Sequence, residues 1–226
     1  MIRYVAVGDS LTVGTGRSMF SPNFAKRYVI KTERIMRNEI SLDQFARVGA
    51  TTEDILKMIN HPFVKEELDK ANIISITAGG NDLIDAVRSY ERQKDETVFY
   101  EALSKCQDNL SKIFYSIHEM KQDNNDNGFY IIRLFNLYNP FPKVEVAEHW
   151  ISKFNHHIHT FNGSKNTKVI DLNQVFDNHE EELISRDGIH PNDNGYELMA
   201  ELLKDSTISA IEDHAKAEED SNQRQV

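Results

Sequence analysis

Apolar, β-branched runs bounded by turn residues recur at Ile2 to Val7, Phe45 to Val48, Ile73 to Thr77, Phe129 to Phe135 and Lys168 to Leu172, and each predicts a strand. Between them the apolar positions fall at helical spacing, over Phe24 to Asn38, Glu53 to Ile59, Leu83 to Tyr90, Val98 to Lys121 and Val144 to Phe161. A last helix is expected from Asn194 to Ala210, with Tyr196, Met199, Leu202, Leu203 and Ile208 as its apolar positions. Strands alternating with helices predict βαβ units, hence an α/β protein with a mainly parallel sheet and helices on both faces. Ligands of such sheets bind at the carboxyl ends of the strands, so the turn after each strand is where chemistry is to be sought.

A chain of 226 residues lies within the range of one domain and buries enough surface to need no staple. One domain is expected over residues 1–211, followed by a polar, acidic tail at 212–226 that frays. Hydrophobic residues at 39% and charged residues at 27% are those of an ordinary water-soluble globule. The single cysteine, Cys106, has no partner for an intramolecular disulfide and sits in a helical stretch, so it reads as a packed or surface thiol. No apolar run approaches the roughly 18 residues of a membrane span, and no export signal is readable before the first strand. A cytoplasmic location and a monomer are the default expectations. A formal charge of −10 argues against nucleic acid as the main partner, because phosphate-backbone binding draws on clustered Lys and Arg.

Four short elements carry candidate chemistry. Gly8-Asp9-Ser10-Leu11 follows the first strand and presents a serine at the carboxyl edge of the sheet, though Ser after Gly-Asp is also a common turn or helix cap. Gly49 follows the second strand candidate and either supplies an unusual backbone angle or points its N–H at a bound oxyanion. Gly79-Gly80-Asn81-Asp82 follows the third, where Asn81 can aim a side-chain amide into the same space. Asp187-Gly188-Ile189-His190 precedes the last helix, and one tight turn brings its carboxylate and imidazole to a common side. Taken singly, each is as well read as a structural turn.

Together, in this order, the four elements resemble the nucleophile block, second block, third block and last block of the SGNH hydrolases, also called the GDSL lipase/esterase family. The resemblance spans residues 8–190. It implies a three-layer α/β/α sandwich of flavodoxin-like type, with strand order 2-1-3-4-5, and hydrolysis of carboxylic esters with no metal or cofactor. It implies Ser10 as nucleophile, His190 as base and then acid, and Asp187 as the carboxylate that orients it. The backbone N–H of Ser10, the N–H of Gly49 and the side chain of Asn81 are then the oxyanion hole. Gly-x-Ser-x-Gly is absent, since position 12 is threonine, which argues against the ordinary α/β-hydrolase fold. The chain is also similar across its length to spore-germination lipases of the Bacillus group, which implies a lipid-type ester as substrate and the spore coat as an alternative location.

Rival readings remain at this point. A short-chain acetyl esterase on sugars and a thioesterase share the fold. A flavodoxin-like module using Thr12, Thr15 and Gly16 to cradle a phosphate or flavin phosphate gives no role to Asn81, Asp187 or His190. The histidines His149, His156, His157 and His159 read as a solvated helix face, and Asp123 to Gly128 as a polar loop, in preference to metal sites. Phe135 to Pro142, after the fourth strand, is expected either to line an acyl pocket or to cap the core.

Overall fold

The computed structural model describes residues 1–123, 129–163 and 166–223. The elements follow in the order β1 (Ile2–Gly8), α1 (Ser10–Val13), α2 (Phe24–Met36), β2 (Ile40–Ala46), α3 (Thr52–Ile59), α4 (Pro62–Lys70), β3 (Ile73–Thr77), α5 (Gly80–Gln93), α6 (Thr97–Asp123), β4 (Ile131–Phe135), α7 (Glu145–His159), β5 (Thr167–Ile170), α8 (Leu172–Phe176), α9 (Glu180–Leu183) and α10 (Asp193–Gln223). The strands form one five-stranded sheet in the order β2-β1-β3-β4-β5. Every strand pair is parallel. The expected architecture and strand order are thus present.

Period-2 alternation sends successive side chains of each strand into two separate cores. Val5, Val7, Ile74, Ile76, Ile132, Leu134 and Val169 face one, which is closed by residues of α3 to α7. Tyr4, Ala6, Ile73, Ile131, Phe135 and Ile170 face the other, under α2, α8 and α10. All five residues of β3 and all five of β4 are buried, as befits central strands covered on both faces.

The second strand departs from expectation. It spans Ile40–Ala46 and not Phe45 to Val48. β2 is an edge strand whose register runs from Ile2 opposite Ile40 to Gly8 opposite Ala46. Its Ser41, Asp43 and Gln44 break the apolar run that marks the buried strands, while Arg47 to Gly49 form the turn beyond it. Helix α4 has only Val64 and Leu68 fully inside and begins at a proline, so its apolar signal is thin. The last helix runs on past Ala210 to Gln223. Residues 124–128 of the expected Asp123 to Gly128 loop, and 224–226 of the tail, lie outside the described residues.

Ile76 is fully buried, between Val7 and Leu134 in the register. Ile76→Ala leaves a cavity on a strand covered from both sides and is expected to lower the unfolding free energy by roughly 2–5 kcal/mol, read from denaturant midpoints.

Candidate active site

Because every strand is parallel, β1, β2 and β3 end side by side, with Gly8 between Ala46 and Thr77. The chain leaving β1 turns sharply and starts α1 at Ser10, one turn of helix stopped by Gly14 in the left-handed region. Asp9 caps that turn: its carboxylate accepts the Leu11 N–H at 3.0 Å and the Thr77 hydroxyl at 2.8 Å. Thr12, fully buried, hydrogen-bonds Thr77 at 2.9 Å, so β3 grips the turn bearing Ser10 from both ends. Burial pushes the Asp9 carboxyl up; the Leu11 and Thr77 bonds and the nearby His190 oppose it.

His190 reaches this turn from the far end of the sequence. Its Nε2 lies 3.0 Å from Ser10 Oγ, and its Nδ1 lies 2.7 Å from Asp187 Oδ2. Nδ1 faces a carboxylate, so it carries the proton, which leaves Nε2 to accept from the serine. Asp187 Oδ1 accepts three further donors: the N–H groups of Ile189 and His190, each at 2.9 Å, and the Ser185 hydroxyl at 2.8 Å. Burial raises the Asp187 carboxyl, but the backbone bonds from His190 and Ile189 and the side chains of His190 and Ser185 outweigh it and hold the group well below the carboxylate range.

Two contacts fix the imidazole's approach. The buried Tyr138 donates its hydroxyl to the Ile189 carbonyl at 2.7 Å. Gly16, at φ +94°, lies so close that a Cβ there would stand 2.8 Å from His190 Cβ and 2.7 Å from the Pro191 carbonyl. Any larger residue pushes on His190.

The remaining expected donors stand on the neighbouring turns. Ser10 is the first residue of its helix, so its N–H has no intrahelical acceptor. Gly49 is exposed at φ +77°, with open space where a side chain would be. Asn81, second residue of α5, donates one amide proton to the Ala50 carbonyl at 2.9 Å, leaving its second free. The turns bearing Gly49 and Asn81 flank that of Ser10 through strand order.

Part of the segment after β4 caps the core. Phe135 and Tyr138 belong to the core, Tyr138 stacked on Phe176. Asn136 bonds Asp171 at 2.7 Å and the Leu172 N–H at 2.6 Å. Leu137 lies beside Gly79 and Gly80, and Phe141 is exposed. The histidines of α7 do not share one solvated face: His157 is half-buried against Phe161, while His159 lies 3.7 Å from Asp171. Cys106 is buried in the core, which pushes its thiol pKa well up. Among the described residues no helix is long and apolar enough to cross a membrane. Ser185 and Thr77 were not marked by the sequence beyond the place of Thr77, last in β3, while Asp9, Gly16 and Tyr138 fell inside segments it marked without their bracing roles being readable.

A family model described as GDSL-like Lipase/Acylhydrolase matches residues 6–198. The chain belongs to this family. It is 44% identical over 211 residues to the spore germination lipase LipC of Bacillus licheniformis, covering 93% of this chain and 99% of that protein. Among solved structures, a lipase from a goat rumen metagenome superposes with a TM-score of 0.85 at 46% identity, covering 90% of this chain and 96% of the other. A family 3 carbohydrate esterase from Clostridium thermocellum shares the fold, with a TM-score of 0.63 at 19% identity over 95% of this chain and 98% of that one. This GDSL family member is a carboxylic ester hydrolase.

The depressed Asp187 carboxyl links the site to stability. Its folded value lies below that of the unfolded chain, near 3.9, so its contribution is complete above that pH and lost as pH falls through the folded value. Urea unfolding of wild type and Asp187→Asn is expected to show a constant gap in midpoint from pH 7 to about 5, narrowing below about pH 4.

Proposed function

We propose that this protein hydrolyses acyl esters of lipids, with Ser10, His190 and Asp187 as its catalytic triad and with Ser10, Gly49 and Asn81 as its oxyanion hole. The observation that carries the reading is the unbroken hydrogen-bonded chain from Ser10 Oγ through His190 to Asp187, at 3.0 and 2.7 Å. A serine hydroxyl is a poor nucleophile until a base takes its proton. As Ser10 Oγ bonds to the ester carbonyl carbon, its proton passes to His190 Nε2, and the imidazolium so formed is stabilised by the Asp187 carboxylate. The carbonyl oxygen becomes an oxyanion, met by the N–H groups of Ser10 and Gly49 and the free Asn81 amide proton. Collapse of the adduct expels the alcohol, which takes the proton from His190. Water then repeats the sequence on the acyl-serine and regenerates Ser10.

The lipid preference rests on the rim. Met19 and Phe20, in the turn that follows the nucleophile, are 84% and 95% exposed. Val48 after β2 and Phe141 after β4 are exposed apolar side chains on turns of the same carboxyl edge, and Val144 and Val146, at the start of α7, are exposed as well. A sugar-acetyl esterase needs polar groups there for hydroxyls, whereas an acyl chain is matched by apolar ones. The likeness to a germination lipase supports the same substrate class, and with it association with the spore. The phosphate-cradle alternative finds no support, since Thr12 is engaged by Thr77 and Gly16 is closed off by His190 and Pro191.

Hydrolysis of p-nitrophenyl esters from acetyl to palmitoyl tests both halves of the reading. Ser10→Ala is expected to lose roughly 10³-fold or more in kcat at every chain length, and wild-type rates in that variant would remove Ser10 as nucleophile. An optimum at long acyl chains is expected, with Met19→Ser/Phe20→Ser losing about tenfold on palmitoyl and little on acetyl, each lost apolar contact being worth on the order of 1 kcal/mol. An optimum at acetyl in wild type would refute the lipid assignment. Asn81→Ala is expected to lower kcat by roughly 10²-fold or more with KM little changed, because its bond to the oxyanion exists only in the transition state.

A further inference from the structure

The two turns that carry Gly49 and Asn81 are tied to each other by a buried set of polar groups that the catalytic chemistry does not itself use. Asp82, 8% exposed, spans both donors of Thr52: its Oδ2 accepts the Thr52 N–H at 2.9 Å and its Oδ1 accepts the Thr52 hydroxyl at 2.6 Å. Asn109, buried on α6, donates to the same hydroxyl at 3.1 Å from the other side. Immediately before Asp82, Asn81 donates to the carbonyl of Ala50, two residues before Thr52. Consecutive residues of one turn therefore grip alternate residues of the other. Such a lacing fixes the distance between the Gly49 N–H and the Asn81 amide, and it fixes the direction of that amide because one of its two protons is held by Ala50.

We infer that Asp82, acting through Thr52 with Asn109 behind it, is the positioning residue that holds the two outer donors of the oxyanion hole in register. The inference rests on the oxyanion hole proposed above. Hydrogen-bond valence argues for a carboxylate at this position. Thr52 offers two donors at once, and among side chains of this length only aspartate has two acceptor oxygens; asparagine would turn an N–H₂ toward a donor. Thr52 is also the first residue of α3, where the backbone favours a negative group. A carboxylate so buried has a purpose to match its desolvation only if its donors are all met, and two are supplied by Thr52 alone. Preorganised donors act on a charge that develops only in the transition state, so a loss of register lowers kcat and leaves KM alone.

The test compares Asp82→Asn, Thr52→Val and Thr52→Ser, each with and without Asn81→Ala, on a p-nitrophenyl ester. Rates are expressed per active site titrated with a fluorophosphonate that labels Ser10, so that molecules that fail to fold do not count. Asp82→Asn and Thr52→Val are expected to lower kcat per titrated site by roughly 10- to 100-fold with KM within about twofold, and Thr52→Ser to stay within about threefold of wild type. In the Asn81→Ala background the same changes are expected to cost several-fold less, since part of what they position is gone. Values of kcat per site within about twofold of wild type in both Asp82→Asn and Thr52→Val overturn the inference, as does a loss that is fully additive with Asn81→Ala. A Ser10→Ala control that keeps wild-type activity would instead overturn the reading of the site itself, whatever Asp82 does.

Discussion

A sheet whose strands all run one way delivers every strand-to-helix turn to the same edge, and the chemistry of this protein depends on that constraint. β1 lies between β2 and β3, so the turn bearing Ser10 is flanked by the turn bearing Gly49 on one side and that bearing Asn81 on the other. The register leaves little freedom, with Gly8 level with Ala46 and Thr77. A shift of one residue in either pairing would exchange core-facing for opposite-facing side chains throughout a strand, so the cores that fix the register also fix the spacing of the turns. Catalytic geometry is in this sense inherited from hydrophobic packing on two faces. His190 is the exception: it arrives from the chain beyond β5, which is why that segment is held by Tyr138, Ser185 and Gly16 in place of a strand partner.

Three aspartates at this edge show how burial and donor supply set the state of one functional group. Asp187, its side chain partly open to solvent, collects four donors and is held firmly ionised, as the proposed triad needs of the group behind the imidazole. Asp9 and Asp82 are pushed up by burial, partly offset by the bonds they accept. Each of these two spends its oxygens on bonds between turns, Asp9 between the Ser10 turn and β3, Asp82 between α5 and α3. The buried pair are braces, while the more exposed carboxylate, set in a bed of donors, faces His190.

Much of this was legible in the sequence. The parallel α/β architecture follows from the alternation of apolar runs with helical periods, and β3 stands at the residues its run marks, Ile73 to Thr77. The strand order and the identity of the four site elements came from their resemblance to a family, because Gly-Asp-Ser or Asp-x-x-His alone is as much a turn as a site. What escaped has physical causes. β2 escaped because an edge strand need not be apolar on both faces, and its Ser41, Asp43 and Gln44 dilute the signal. The bracing residues escaped because their partners are distant in sequence: Asp9 and Thr77 are separated by 68 positions, Thr52 and Asp82 by 30, and no local pattern reports such a pair. Asp187 and His190, three apart, were visible for the opposite reason.

The turn between α1 and α2 joins the proposed base to the exposed apolar side chains of the rim. Its backbone is well tied: Arg17 donates to the carbonyls of Ser21 and Gly14, Asn23 donates to the Thr12 carbonyl and caps α2, and Tyr196 donates to the Thr15 carbonyl. Gly16, within it, buttresses His190, while Met19 and Phe20 project from the same turn into solvent. A floppy loop that exposed two large apolar side chains would be expected to fold them back onto the core, because burial of each is worth roughly 1.5–3 kcal/mol. Here the bonds at either end forbid that retreat. The exposure is therefore a feature of a tied turn, the same one whose Gly16 packs against His190. On the proposed lipid reading, an acyl chain that covers Met19 and Phe20 meets a turn already tied by these bonds, so that less of its binding energy goes to ordering the protein and more to orienting the ester.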